Sequence, residues 1–132
     1  MIVLVALTAG VWVLMYWRRL NEIHQGGIDP QSLATRGTAD GRLTNVSAAD
    51  NFSNLLETPI LFYALCIALH VTGEADSWQI SLAWIYVALR ALHSLIHVTY
   101  NRVVHRWAVY VASTILLFVM WGNFAVSLWR GA

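Results

Sequence analysis

The sequence predicts an all-α integral membrane protein, a single domain of 132 residues built as a four-helix transmembrane bundle. Three observations carry that expectation. The chain is 58% hydrophobic and only 11% charged, where a soluble domain carries roughly 25% charged residues. Four separate apolar segments approach the ~20 residues that cross a bilayer. Tryptophans and arginines gather at the segment ends, as interfacial anchors do. The same composition excludes intrinsic disorder, which needs low hydrophobicity and high charge. A net charge of +1 supplies no broad basic field for nucleic acid. The single cysteine, Cys66, leaves no internal disulfide and no cysteine-rich metal site.

The first span covers residues 1–17 and stops at Arg18-Arg19. It lacks a basic stretch ahead of the apolar run and a small-residue cleavage site after it. It therefore reads as a retained span rather than a cleaved signal peptide. Residues 18–46 form the long loop, punctuated by Gly26, Gly27, Pro30, Gly37 and Gly41. The second span covers residues 48–71. Ser47 and Asp50 have capping-box spacing at its start, with Asp in place of Glu, and Gly73 is placed to close it. Pro59 is expected to kink this helix and free the carbonyl of Leu55.

A tight acidic turn with Glu74 and Asp76 leads to the third span, residues 78–97, with Ser77 as the expected cap. A short basic turn, residues 98–106, leads to the fourth span, residues 107–129. Trp17, Trp78, Trp107 and Trp129 mark span ends as an aromatic belt would.

Orientation follows from the arginines, since the chain has no lysine. With four spans, the first and third loops share one side. That side holds Arg18, Arg19, Arg36, Arg42, Arg102 and Arg106; the other holds Arg130. The positive-inside rule makes the long loop cytoplasmic and puts both termini outside.

Polar groups inside a membrane are costly and point to function. Glu57 lies about ten residues into the second span and Arg90 about eleven before the third loop. At 1.5 Å per residue each sits roughly 15–16 Å from the cytoplasmic side, so a buried Glu57–Arg90 pair is expected. Asn54 precedes Glu57 by one turn. His93 and His97 follow Arg90 on one stripe. Arg106, Tyr110 and Ser113, with Thr114 beside them, form a stripe on the fourth helix. Together these outline a polar, net-positive pocket open to the cytoplasm, suited to an anionic ligand and an amphipathic partner arriving from lipid. Two histidines and one carboxylate are a weak metal signal, and no metal is expected. Cys66, mid-span with no charge nearby, reads as packing. The sequons at Asn45 and Asn51 fall on the cytoplasmic side and are set aside.

These residues resemble the MAPEG family, the membrane-associated proteins of eicosanoid and glutathione metabolism. Asn54-Leu55-Leu56-Glu57 followed by Pro59 is similar to the family's N-x-x-E…P segment on the second helix. Arg90-Ala91-Leu92-His93 is similar to the R-x-x-H of its third helix, and Arg106 and Tyr110 match the spacing of its fourth. The order of motifs and spans covers nearly the whole chain. The resemblance implies a homotrimer in which glutathione, as co-substrate, binds between neighbouring subunits near the cytoplasmic side. It implies that Arg106 stabilises the glutathione thiolate as the catalytic residue. Asn54, Glu57, Arg90, His93 and Tyr110 would hold the peptide, and Arg18 would meet a carboxylate. It also implies a bacterial inner-membrane location, contact with membrane lipid and a lipophilic small-molecule substrate. Asp50 and Ser53 stand where some members carry arginine, and Trp107 where a small residue can stand.

Three functions fit these residues. The first is a glutathione- or thiol-dependent transferase or peroxidase acting on lipophilic electrophiles. The second is a non-catalytic trimeric membrane protein that binds lipid or another anionic ligand in the same pocket. The third is a proton or ion pathway along Glu57, Arg90, His93 and His97.

Overall fold

The computed structural model describes residues 1–33 and 46–131. The expectations attached to Arg36, Gly37, Gly41, Arg42 and Asn45 lie outside the described residues. Four long helices account for the fold: α1 (Ile2–Gly26), α2 (Ser47–Thr72), α3 (Ser77–Val98) and α4 (Val103–Gly131). A short 3-10 turn (Pro30–Leu33) follows α1, and no strand occurs among the described residues.

The helix ends follow local chemistry, with three corrections to the sequence reading. At the start of α2 the capping box does not form: Val46 is the cap residue and makes no side-chain cap bond. The Ser47 hydroxyl instead accepts from Arg18 Nη1 at 3.3 Å. At the start of α3 the cap is Asp76, not Ser77. The Asp76 carboxylate accepts from the Gln79 N–H at 2.7 Å, because it stands one residue outside the first helical turn, where a cap oxygen reaches the free N–H groups. Gly73 closes α2 as expected, at φ 75°, with its N–H on the Leu69 carbonyl. Helix α1 runs past Arg18-Arg19 to Gly26, where Gly27 turns left-handed at φ 57°. Hydropathy marks where the membrane ends. It does not mark where the helix ends, and residues 18–26 carry no breaker until the paired glycines.

The chain runs up and down, so the C-terminal ends of α1 and α3 meet the N-terminal ends of α2 and α4. The bundle then divides along its length. Near Met1 and Gly73 the core is apolar: Leu4, Phe62, Leu65, Leu69, Leu82, Tyr86, Leu117, Met120 and Phe124 cluster there. Phe62 and Tyr86 stack at 4.5 Å between ring centres. Towards the other end the buried residues turn polar, with Asn51, Arg90, His93, Ser94 and His97 all sealed between helices. The outward faces are apolar, with Trp12, Ile60, Trp84 and Phe118 exposed. Such faces suit lipid or a neighbouring subunit and are unsuited to water.

Candidate functional site

The polar half of the bundle is built from α2, α3 and α4. Arg90 is fully buried on α3. Its Nη2 donates to the backbone carbonyl of Asn54 at 2.7 Å. That carbonyl neighbours the one on Leu55 that Pro59 leaves without a helical donor. The Arg90 guanidinium also lies 5.4 Å from the centre of the Tyr110 ring, within cation–π range. The expected Glu57–Arg90 ion pair is not formed. Nε and Nη1 of Arg90 have no hydrogen-bond partner among the described residues, and Glu57 faces outwards on α2 as an exposed residue. Equal depth put the two residues level, but the helical phase of α2 turns the carboxylate away from α3.

His93 and His97 both serve Arg106. His93 Nδ1 donates to the Arg106 carbonyl at 3.2 Å, which tethers the start of α4 to α3. The Arg106 side chain folds back over the turn. Its Nη1 donates to His97 Nε2 at 3.1 Å and to Asn101 Oδ1 at 2.9 Å. A guanidinium has no acceptor, so His97 must present an unprotonated Nε2 to it. The His93 and Tyr110 rings lie 5.7 Å apart. Among the described residues no three His, Cys, Asp or Glu side chains group closely enough to hold a metal ion.

Asn54, His93, Arg106, Trp107 and Tyr110, with Val103, line one cleft of about 130 Å³. This draws four of the expected site residues together: Asn54, His93, Arg106 and Tyr110. Arg90 lies behind them under Tyr110, and Glu57 lies off the cleft on the exposed face. Arg18 belongs to a separate, larger cavity of about 530 Å³ with Asn21, Glu22, Gln25 and Ser47. There Arg18 Nη2 donates to the Val98 carbonyl at 2.8 Å, placing a cation where the carbonyls of α3 run out. Ser113 and Thr114 do not join the cleft. Their hydroxyls both bond the Tyr110 carbonyl on their own helix, at 2.8 and 2.9 Å. A third cavity, about 440 Å³, is an apolar groove between α1 and α2 bordered by Val5, Trp12, Leu55, Leu56, Ile60 and Tyr63.

Sequence reasoning missed Asn51 and its partner Ser94, buried Gln79, and Asn101. Asn51 is fully buried, and its Oδ1 accepts from the Ser94 hydroxyl at 3.2 Å. Its place in a sequon drew attention to glycosylation and away from packing. Asn101 holds Arg106, and the available signal was an Asn in a short turn between helices, where left-handed backbone is common.

Four helices long and apolar enough to cross a membrane, with apolar outer faces and a buried polar half, define an integral membrane four-helix bundle. The MAPEG family model matches residues 1–126, and the chain belongs to the MAPEG family. No curated protein and no solved structure gives a significant match.

Proposed function

We propose that this MAPEG protein is a glutathione- or thiol-dependent transferase or peroxidase acting on lipophilic electrophiles, with Arg106 stabilising the thiolate. The observation that carries this reading is the Arg106 guanidinium at the edge of a cleft shared with Asn54, His93 and Tyr110. Its Nη1 is engaged by His97 and Asn101. Among the described residues nothing accepts from its Nε or Nη2. Those donors are available to an anion.

The chemistry follows from charge. A thiol with pKa near 8.5 is mostly protonated at neutral pH. A guanidinium beside it favours the anion and does not itself lose a proton. The thiolate attacks an electrophilic carbon, forming a C–S bond while the leaving group departs with its electron pair. With a lipid hydroperoxide, sulfur instead takes the terminal oxygen and the lipid leaves as its alcohol after protonation. A second thiol then gives the disulfide and water. The lipophilic substrate enters from the bilayer, and the apolar groove between α1 and α2 offers it a surface.

In this reading the subunits form a homotrimer. Glu57, exposed on one subunit, and Arg18, in its own cavity, meet the ligand's charged ends at the subunit boundary. The arginine-rich end, with Arg18, Arg19, Arg102 and Arg106, faces the cytoplasm of a bacterial inner membrane, and both termini lie outside.

A second reading keeps the pocket and removes the reaction: a trimeric protein that holds lipid or another anion. Trp107 favours it, because its exposed indole borders the cleft where a small residue would leave room.

The deciding experiment is thermal stability of the detergent-purified protein against glutathione, with oxidised glutathione for comparison. A ligand that binds only the folded state adds about 2.7 kcal/mol at a hundredfold excess over its Kd. A saturable shift lost in Arg106→Ala is expected. No shift, or the same shift in that variant, refutes the proposal.

A further inference from the structure

We infer that Asn101 is a positioning residue: it fixes the rotamer of Arg106 so that the free edge of the guanidinium meets the bound thiolate. The inference rests on the thiolate role proposed for Arg106 and adds a residue that the motifs of the helices do not contain.

The backbone comes first. Asn101 sits at φ 47°, the one non-glycine residue in the left-handed region among the described residues. Its N–H donates to the Ile96 carbonyl at 2.8 Å, closing the end of α3. Only Gly, Asn and Asp adopt this conformation readily. Of these three, glycine has no side-chain acceptor. The position therefore carries two demands at once, a left-handed backbone and an oxygen aimed at Arg106.

The side chain comes second. Arginine is long and loses much rotamer freedom when it is fixed. Arg106 stands in the first turn of α4, where its own helix offers nothing to hold it. Two acceptors from outside that helix hold a single nitrogen: Asn101 Oδ1 at 2.9 Å and His97 Nε2 at 3.1 Å. Both Nη1 hydrogens are used. Both acceptors are neutral, so the clamp sets the direction of the guanidinium without cancelling its charge. An Asp at position 101 would make the same hydrogen bond and would oppose the thiolate. Asn satisfies the backbone, the geometry and the electrostatics together.

The test uses the full chain in detergent micelles and two substitutions that keep the left-handed backbone, Asn101→Gly and Asn101→Asp. Affinity is measured for glutathione and for S-methylglutathione, which has the same peptide and no ionisable thiol. Conjugation to an activated aryl chloride is followed across pH. In Asn101→Gly, glutathione affinity should fall about tenfold, the scale of one charge-assisted hydrogen bond. S-methylglutathione affinity should stay within about twofold. In Asn101→Asp, the rise of rate with pH should move to higher pH by up to about one unit, because the carboxylate opposes ionisation of the thiol.

Equal weakening of both peptides would mean a structural role only and would overturn the inference. An unchanged glutathione affinity and pH profile in both variants would overturn it while leaving the thiolate role of Arg106 standing. A wild-type protein that binds S-methylglutathione as tightly as glutathione, with Arg106→Ala no weaker, would overturn the thiolate role and the positioning role together.

Discussion

Glu57 separates two descriptions of the same membrane interior. If it formed a buried ion pair with Arg90, its removal would leave an uncompensated buried guanidinium, at a cost of about 3–5 kcal/mol. In the structure Glu57 is exposed. Arg90 makes its hydrogen bond to the Asn54 carbonyl, and its Nε and Nη1 take nothing from Glu57. Glu57→Gln should therefore cost less than about 1 kcal/mol. At roughly 4 °C per kcal/mol for a chain of this size, the buried pair predicts a Tm lower by about 12–20 °C, and the observed geometry a change below about 4 °C. Unfolding in detergent micelles, followed by far-ultraviolet circular dichroism, measures the difference. Arg90→Met completes a double-mutant cycle, and the coupling to Glu57→Gln should lie within about 0.5 kcal/mol of zero. If Glu57 serves the ligand, the same variant should lose glutathione affinity by about tenfold or more, as expected for a lost charge-assisted hydrogen bond. A coupling above about 2 kcal/mol would refute this placement of Glu57 and restore the ion pair.

Five further substitutions, grouped in three tests, probe the frame. Gly73→Ala should destabilise by about 1–2 kcal/mol, because φ 75° is strained for any side chain even though the space is open; chemical denaturation reads this directly. Asp76→Ala should cost about 1 kcal/mol through loss of the α3 cap, whereas Ser77→Ala should change stability by less than about 0.5 kcal/mol, a contrast visible in parallel melts. Asn51→Ala should cost about 1–3 kcal/mol by leaving the buried Ser94 hydroxyl without its acceptor, and adding Ser94→Ala should recover part of that loss.

The parts of this protein legible in its sequence are those set by one-dimensional physics. Apolar runs long enough to cross a bilayer locate four helices, because lipid requires each span to satisfy its own backbone. Gly73 was legible as a helix end because left-handed geometry selects glycine. The positions of Arg106, His93, Tyr110 and Asn54 were legible as a group, since helical spacing puts each on a stripe and the stripes face one another. Glu57 was not, because depth along a helix says nothing about the phase of that helix against its neighbour. Pro59 lies inside α2, which runs unbroken from Ser47 to Thr72. The capping box at Ser47 failed for another reason. Helix α2 begins at Ser47 with Val46 as its cap residue, so the serine stands one position inside the place a capping box requires, and its hydroxyl accepts from Arg18.

What the fold does with its buried charge bears on why the candidate cleft sits at one end. Sealing Arg90 in the bundle without a carboxylate is unfavourable unless the surroundings are polar. The Asn54 carbonyl and the face of Tyr110 supply part of such surroundings without a counter-charge, and Nε and Nη1 have no partner among the described residues. The result leaves Arg90 and Arg106 with neutral hydrogen-bond partners near the start of α4. Had Glu57 turned inwards, it would have stabilised Arg90 and lowered the attraction for an incoming anion. Turned outwards, it makes no hydrogen bond to Arg90 and presents a carboxylate on the outer face of α2, where it can meet an ammonium group. A glutathione molecule carries both an anionic sulfur and an ammonium, so the outward turn of one side chain would give the two groups separate partners. The same disposition predicts that Glu57→Arg would raise affinity for simple anions while lowering it for glutathione. Affinity for both moving in the same direction would show that Glu57 acts only through the overall potential.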